Sequence, residues 1–470
     1  MSFFIKNKGK QPKTNKNQKN PSRKRKLPNN NEKTKSYNVP ASKDDDITSS
    51  EDEDFNNKEQ EHYESEDDNE TAQEKKLRLA KVYLKEIEAQ ERKKREREDE
   101  EQDEQDDHDR KIQQRLFYDH LKQTGRFRSS VADQYKSHSK ISFLKAKEHK
   151  STITCVCVSS DDKYLYSGSK DGGIVKWSLE THQKLSSLPF IKKSVEKAYT
   201  KGHSSSILSL ALSHDSLFLA VGDTSSNIQI WNPETFKHIK TLSGHKNSIY
   251  ALVFRRGTHT LYSASADRSV KVWSLDEMSY VETLYGHLDA VTAIDALARE
   301  RAVTAGGRDT SLRMWKIPEE SQLIYNGDTG SIDVVKLVNE ETFVSGGDNG
   351  TLSLWGVNKK KPTASIKSAH GIDETNDQPL WITALAALVN TDLVASGSYD
   401  GNIKLWKVGD HSKTLTHLMT IPVLGYVNSL AFSNDGSKLI AAVGSEHRLG
   451  RWNVVKSAKN SLVVIELVKS

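Results

Sequence analysis

Cysteine is nearly absent, with only Cys155 and Cys157 in a chain of 470 residues. Two positions apart in one predicted strand, their side chains point the same way and cannot readily bridge. A lone C-x-C without further Cys or His nearby also falls short of a metal site. Both are expected to be plain buried thiols in a reducing compartment. Apolar residues are sparse too, at 35%, and no run approaches the roughly 20 residues that a membrane helix needs. No leader-like segment is visible, and no membrane partner is expected. The phosphate-cradling G-x-x-x-x-G-K followed by Ser or Thr is missing, as are H-E-x-x-H and paired C-x-x-C. Nothing in the chain argues for catalysis, a cofactor, a metal or a small-molecule substrate.

Charge is abundant, at 28% of the residues, and unevenly placed. Residues 1–40 carry twelve Lys/Arg against one Glu, whereas residues 41–70 carry fourteen acids against two Lys. With little apolar surface to bury, residues 1–70 are expected to be a disordered basic-then-acidic tail. Within it, Arg23, Lys24, Arg25 and Lys26 form a basic cluster of the nuclear-localisation type; a merely solvated tail is the alternative. Ser49, Ser50 and Ser65 precede acids, as acid-directed kinases require.

Residues 71–140 read as a charged helical segment. Thr71-Ala-Gln-Glu74 is a capping box. Leu77, Ala80, Leu84 and Ile87 follow at spacings of three, four and three, one narrow apolar stripe along a helix. Such a stripe cannot be buried by the helix alone. It is expected to dock on a partner, or on the globular part of the chain. A second, weaker helix is expected over residues 110–130.

The globular part, residues 141–470, is organised by Tyr262-Ser-Ala-Ser-Ala-Asp267-Arg-Ser-Val-Lys-Val-Trp273. An apolar run, a tight polar turn and a second alternating run end on tryptophan. Versions of it end at Trp177, Trp231, Trp273, Trp315, Trp355, Trp406 and Trp452, leaving Trp381 outside the series. The intervals are 54, 42, 42, 40, 51 and 46 residues. Gly-His pairs stand at His203, His245 and His287, with variants at His149, His370, Asp328 and Tyr426. This is the pattern of WD40 blades, and seven of them predict an all-β, seven-bladed propeller. Both Ile141–Lys147 and Ser461–Val468 are candidates to close the ring.

An acid stands six residues before tryptophan at Asp171, Asp267, Asp309 and Asp400, replaced by Ser225, Asn349 and Glu446 elsewhere. His, Ser and Asp together invite a catalytic-triad reading. Their recurrence around the ring suits a structural unit instead. The WD40 resemblance implies a buried network of turn Asp, loop His, strand Ser/Thr and indole N–H. Its expected members are His149, Asp171, Trp177, His245, Asp267, Trp273, His287, Asp309, Trp315, Asp400 and Trp406. Units lacking the acid are expected to be held less tightly.

Binding residues are sought on the rim. Lys170, Arg308 and Tyr399 precede the turn acid, and Arg268 follows it. His447, Arg448 and Arg451 occupy the matching part of the last unit. Cations with an aromatic among them suit a folded RNA. Arg255 and Arg256 form a second basic group, in a turn that opens on the opposite face.

Several stretches exceed what blade formation demands. They include Thr71-Ala-Gln-Glu-Lys-Lys-Leu-Arg-Leu-Ala-Lys81, Phe254-Arg-Arg-Gly-Thr-His259, Val303-Thr-Ala-Gly-Gly-Arg-Asp309, Trp315-Lys-Ile-Pro-Glu-Glu-Ser-Gln-Leu323 and Glu446-His-Arg-Leu-Gly-Arg-Trp452. In these the chain resembles the WD-repeat family of U3 small nucleolar RNA-interacting proteins. The resemblance implies a nucleolar box C/D particle, with docking on the box B/C element of U3 RNA beside a small kink-turn-binding protein. It also implies other small-subunit processome proteins as partners. A protein-only WD40 adaptor, either a substrate receptor or a chromatin scaffold, is the alternative.

Overall fold

The computed structural model describes residues 77–87, 89, 105–123, 127–191, 202–327, 330–373, 376–409 and 412–469. The basic cluster at Arg23–Lys26, the acidic block and the capping box at Thr71 lie outside the described residues. The chain divides after Ala80 into two units. In the first, Leu77 and Ala80 are helical and exposed. In the second, the helix continues to residue 87, with Leu84 exposed and Ile87 buried. A further helix spans Gln105–Gln123, and the Tyr83 hydroxyl donates to Asp119 Oδ2 over 2.9 Å.

Each repeat folds into a four-stranded antiparallel sheet, and seven such sheets form a β-propeller. The third blade shows why. Its strands are Ile249–Phe254, Thr260–Ser265, Ser269–Ser274 and Ser279–Tyr285. The two central strands lie between neighbouring blades, so both of their faces are apolar or hydrogen-bonded and almost fully buried. The outermost strand is largely open to solvent, with Tyr280, Val281 and Tyr285 exposed. Leu261 faces Trp273 across the sheet, and Trp273 is 2% exposed. Along the channel, blades are laced by side chains. Thr154, Thr292 and Thr383 donate to the carbonyls of Ile207, Ile332 and Val427 in the next blade, at 2.6 to 2.8 Å.

Both chain segments that competed to close the ring take part. Tyr135–Leu144 is the outermost strand of the seventh blade, and Ser461–Lys469 lies directly inside it. The first strand begins at Tyr135, ahead of the boundary expected at residue 141. A strap leads into it. The buried Asp392 carboxylate accepts from the Val131 and Ala132 amides at 2.8 and 2.9 Å and from the Ser130 hydroxyl at 3.1 Å. Arg128 donates to the Gly409 carbonyl over 2.8 Å.

This closure corrects the reading of the seventh repeat. Leu439 faces Ile465, as Leu261 faces Trp273. Ile465 therefore holds the tryptophan place, and Trp452 belongs to a long loop between Gly444 and Ser461, where it is 55% exposed. Glu446 likewise is no turn acid. It is a buried carboxylate bound by Lys170 and Arg451.

The blade network forms fully in three units. His245, His287 and His370 reach Asp267, Asp309 and Asp400 at 2.9, 2.7 and 3.0 Å through Nδ1. Their Nε2 atoms meet Ser263, Thr304 and Ser396, which also accept from the indoles of Trp273, Trp315 and Trp406. Burial alone would raise the Asp267 carboxyl. Hydrogen bonds from His245, Ser269 and the Lys246 amide outweigh it and hold the group well below the usual carboxylate range.

The other units differ. In the first, His149 meets Ser167 at 2.8 Å, and so does Trp177 at 2.9 Å, but His149 Nδ1 has no partner among the described residues. Asp171 turns instead to the Lys150 and Ser151 amides. In the second, the acid has moved two places. Asp223 accepts from the Ser225 amide at 2.7 Å and faces His203 Nδ1 at 3.4 Å. Val221 replaces the usual hydroxyl, and the Trp231 indole donates directly to His203 Nε2 at 3.1 Å. The expectation of a looser second unit, based on Ser225, overlooked this rewiring. In the fifth, Trp355 still donates to Ser345 at 2.8 Å, and Asn349 accepts from the Thr351 amide at 3.0 Å. Both cysteines are free thiols, and burial pushes Cys155 up to about 12.

Candidate nucleic-acid interface

The nine candidates separate into four groups. Arg308, His447 and Arg448 come together at one mouth of the central channel, around a cavity of about 320 Å³. Tyr399 stands beside them, stacked on Tyr426 at 5.1 Å and edge-on to Trp381. Lys170 and Arg451 both bind Glu446, Lys170 at 2.9 Å, so each has part of its charge answered within the protein. Arg268 stands apart on the third blade. It is exposed, with a left-handed backbone at φ +68°. The equivalent positions after Asp171, Asn349 and Asp400 are Gly172, Gly350 and Gly401, the residue type this conformation favours.

Arg255 and Arg256 line the opposite mouth, as their turn position required. Arg255 is tied down, donating to the Ala298 carbonyl at 2.7 Å and to Glu300 at 2.5 Å. The Arg256 side chain is the more exposed of the two.

Arg448 is not presented on the rim. Its side chain crosses the channel to the carbonyls of Thr292 and Tyr250, at 3.2 and 3.5 Å, in blades opposite its own. It is a strut across the ring, tying the loop of the seventh blade to the third and fourth blades. His447 is also turned inward. Burial, with the cations Arg448 and Lys170 adding to it, pushes its imidazole down to about 3. It is neutral, and Nδ1 accepts from the Leu449 amide at 3.3 Å.

Sequence reasoning missed the aromatic side of this mouth. Trp381, the tryptophan outside the series, meets Trp452 at 5.8 Å, and His447 lies 6.2 and 5.1 Å from the two indoles. Gly450 permits this fold-back, since a Cβ there would collide with the Trp452 ring. The signal was Trp381 itself, an indole with no place in a blade. Asp333 and Asp348 also line the cavity, and no spacing marked them. Burial raises the Asp333 carboxyl above its ordinary value, against the lowering effect of the Ser331 hydroxyl.

Fold and mouth together define a WD-repeat propeller whose departures from the repeat gather over one end of the channel. The WD domain, G-beta repeat family matches residues 140–178, 195–232, 236–274, 278–316 and 369–407. The mouse U3 small nucleolar RNA-interacting protein 2 is 49% identical over 85% of this chain and 82% of its own length. The human protein is 48% identical over the same shares. Two solved structures are similar, one described as the structure of U3-55K and one as a crystal structure of RRP9 WD40 repeats. They have TM-scores of 0.66 and 0.67 and identities of 50% and 49%. They cover 70% and 71% of this chain, and 98% and 99% of their own. The chain belongs to the family of U3 small nucleolar RNA-interacting WD-repeat proteins.

Proposed function

We propose that this chain is a non-catalytic, RNA-binding scaffold of the U3 box C/D small nucleolar ribonucleoprotein. It acts in ribosome biogenesis through pre-18S ribosomal RNA processing. The observation that carries the reading is the mouth of the channel, where the exposed guanidinium of Arg308 and the exposed indole of Trp452 line one cavity. Cations answer phosphates and aromatic faces take unpaired bases, the two contacts a folded RNA offers. Relatives named for U3 RNA support the choice of RNA.

Within that role, the ring docks on the box B/C element of U3 beside a small kink-turn-binding protein and joins the small-subunit processome. Arg268 contributes a phosphate contact, Arg308 supplies the cation of the channel mouth, and Lys170 and Arg451 hold the loop that carries Trp452. The stripe from Leu77 to Ile87 offers a second docking element for protein partners. The cluster at Arg23–Lys26 serves nuclear import, which places the chain in the nucleus and nucleolus.

The test compares the U3 B/C stem with an unrelated stem, at moderate salt and with the kink-turn protein present. A clear preference for the U3 stem is expected, and affinity should fall with added salt. Equal binding of the two stems would refute the reading. A second arm replaces Arg268 and Arg308 by Ala; unchanged capture by the folded variant would move the site to another surface.

A further inference from the structure

The cavity at the channel mouth contains more than a cation needs. On one side are the indoles of Trp381 and Trp452 and the neutral imidazole of His447. On the other are Arg308, which is exposed, and Asp333, which is half-buried. Asp333 Oδ1 accepts from the Ser331 hydroxyl at 2.7 Å, while Oδ2 accepts no hydrogen bond from the described residues. A half-buried carboxylate oxygen with no donor on it, lining open space, is an acceptor available to a ligand. The Asp348 carboxylate lies next to it and accepts the Ser331 amide at 2.7 Å. The volume, about 320 Å³, is at the small end of ligand pockets and suits one planar ring system.

We propose that this cavity takes one unstacked guanine of the bound RNA, an inference that rests on the RNA-scaffold reading above. Guanine offers acceptors at O6 and N7 on one edge, which a guanidinium fork matches. On its other edge, N1–H and the 2-amino group are both donors, which a carboxylate matches. Arg308 serves the first edge and Asp333 the second, and Trp452 with Trp381 covers the ring face. Adenine reverses the pattern, turning the lone pair of its N1 toward Asp333. A cationic side chain from a protein would use the carboxylates and indoles, but would be repelled by Arg308 and by Arg448 beneath it. A ligand with acceptors and donors on adjacent edges uses both signs of charge, and guanine is the base that has them.

The experiment uses the full chain with labelled five-nucleotide single strands UUGUU, UUAUU and the inosine analogue of the first. Binding is read by anisotropy and by quenching of tryptophan fluorescence. The guanine strand is expected to bind about tenfold more tightly than the adenine strand, with inosine between them, and to quench the indoles. Trp452→Ala should weaken the guanine strand by roughly five- to a hundredfold, the range of one base–aromatic stack. Trp452→Phe should keep most of the binding. Asp333→Asn should abolish the guanine preference while leaving the adenine strand nearly unchanged. Equal affinity for the three strands overturns the proposal, as does a preference that survives both Trp452→Ala and Asp333→Asn. So does an arginine-rich peptide that quenches the indoles when no strand does. The U3 B/C stem is titrated in parallel. Selective stem binding without a base preference sinks the pocket alone, whereas a base preference without selective stem binding sinks the scaffold reading.

Discussion

The second blade allows a sharp test of how these units are held. Spacing from tryptophan nominates Ser225 as the residue in the acid's place, whereas the contacts nominate Asp223. Asp223 is 1% exposed and His203 is fully buried. The indole of Trp231 donates to His203 Nε2, so the ring must carry its proton on Nδ1, facing Asp223. Asp223→Ala strands that N–H in the interior and removes the acceptor of the Ser225 amide and hydroxyl. An orphaned buried N–H costs about 1–3 kcal/mol, and the lost bonds from Ser225 to the carboxylate bring the total to about 3–5 kcal/mol. Ser225→Ala deletes one hydroxyl donor and leaves its amide bonded, at a cost of about 0.5–1.5 kcal/mol. Equilibrium urea unfolding followed by tryptophan fluorescence should separate the two variants clearly, with Asp267→Ala in the third blade as large as Asp223→Ala. Restoring the usual arrangement requires V221S/D223S/S225D together, because Val221 must first become the hydroxyl that Ser263 supplies in the third blade. That triple variant should return to within about 1 kcal/mol of the parent, since it rebuilds every bond of the common network. Similar losses for Asp223→Ala and Ser225→Ala would refute the rewired network. So would a D223S/S225D double variant as stable as the triple.

Four further outcomes follow from other parts of the ring. Arg268→Gly relieves a left-handed backbone and should stabilise the chain by about 1 kcal/mol, while lowering RNA affinity; thermal unfolding and filter binding check the two effects. His259 bridges Asp276 and Asp215 at 2.5 and 2.6 Å between blades, and those hydrogen bonds raise its pKa against the effect of burial. A raised folded-state value means that its stabilisation is complete below about pH 6.5 and is lost as pH rises through that value, so the gap between parent and His259→Gln should close with increasing pH. His447 has the opposite sign. Pushed down to about 3, it favours the fold above pH 6.5 and costs stability as pH falls toward 3, a loss that His447→Gln should remove in acid titration. Asp392→Ala frees the strap that leads to the closing strand, and should cost about 2–4 kcal/mol and open residues near Arg128 to proteolysis. An unchanged cleavage pattern would mean that the strand pairing at Tyr135–Leu144 holds without the strap.

Most of the ring was legible in the sequence because a repeated unit repeats its hydrogen bonds. His245, Asp267, Ser263 and Trp273 recur at fixed spacing, since a blade turn of constant length must bring the same four groups together. What escaped were the places where a different set of bonds gives the same shape. Asp223 sits two residues from the expected acid, and no count of spacing distinguishes a moved carboxylate from a missing one. Ile465 stands in the tryptophan place of the seventh blade, because a chain-closing strand paired on both sides by Leu439 and Ile141 can be held by aliphatic packing alone. Arg448 read as a rim cation, since sequence position sets the loop but not the direction in which a long side chain runs.

The same departures locate the candidate site. A tryptophan in the blade series is buried and spent on structure, as Trp231 and Trp355 are. Trp381 and Trp452 lie in loops, and their rings meet each other over the channel instead of packing into a sheet. Such a loop carries a cost, since a half-exposed indole loses hydrophobic stabilisation that burial in a blade would recover. The loop between Gly444 and Ser461 is held against that cost by Glu446, which ties it to Lys170, and by Arg448, which anchors it on Thr292. Replacing Glu446 by Gln should therefore loosen the placement of Trp452 without unfolding the ring, and quenching of the indoles by RNA should weaken while the unfolding midpoint stays nearly constant. If quenching is unaffected, Arg448 and the Asn428 side chain, which bonds the Glu446 carbonyl and the Arg448 amide, hold the loop without the salt bridges of Lys170 and Arg451.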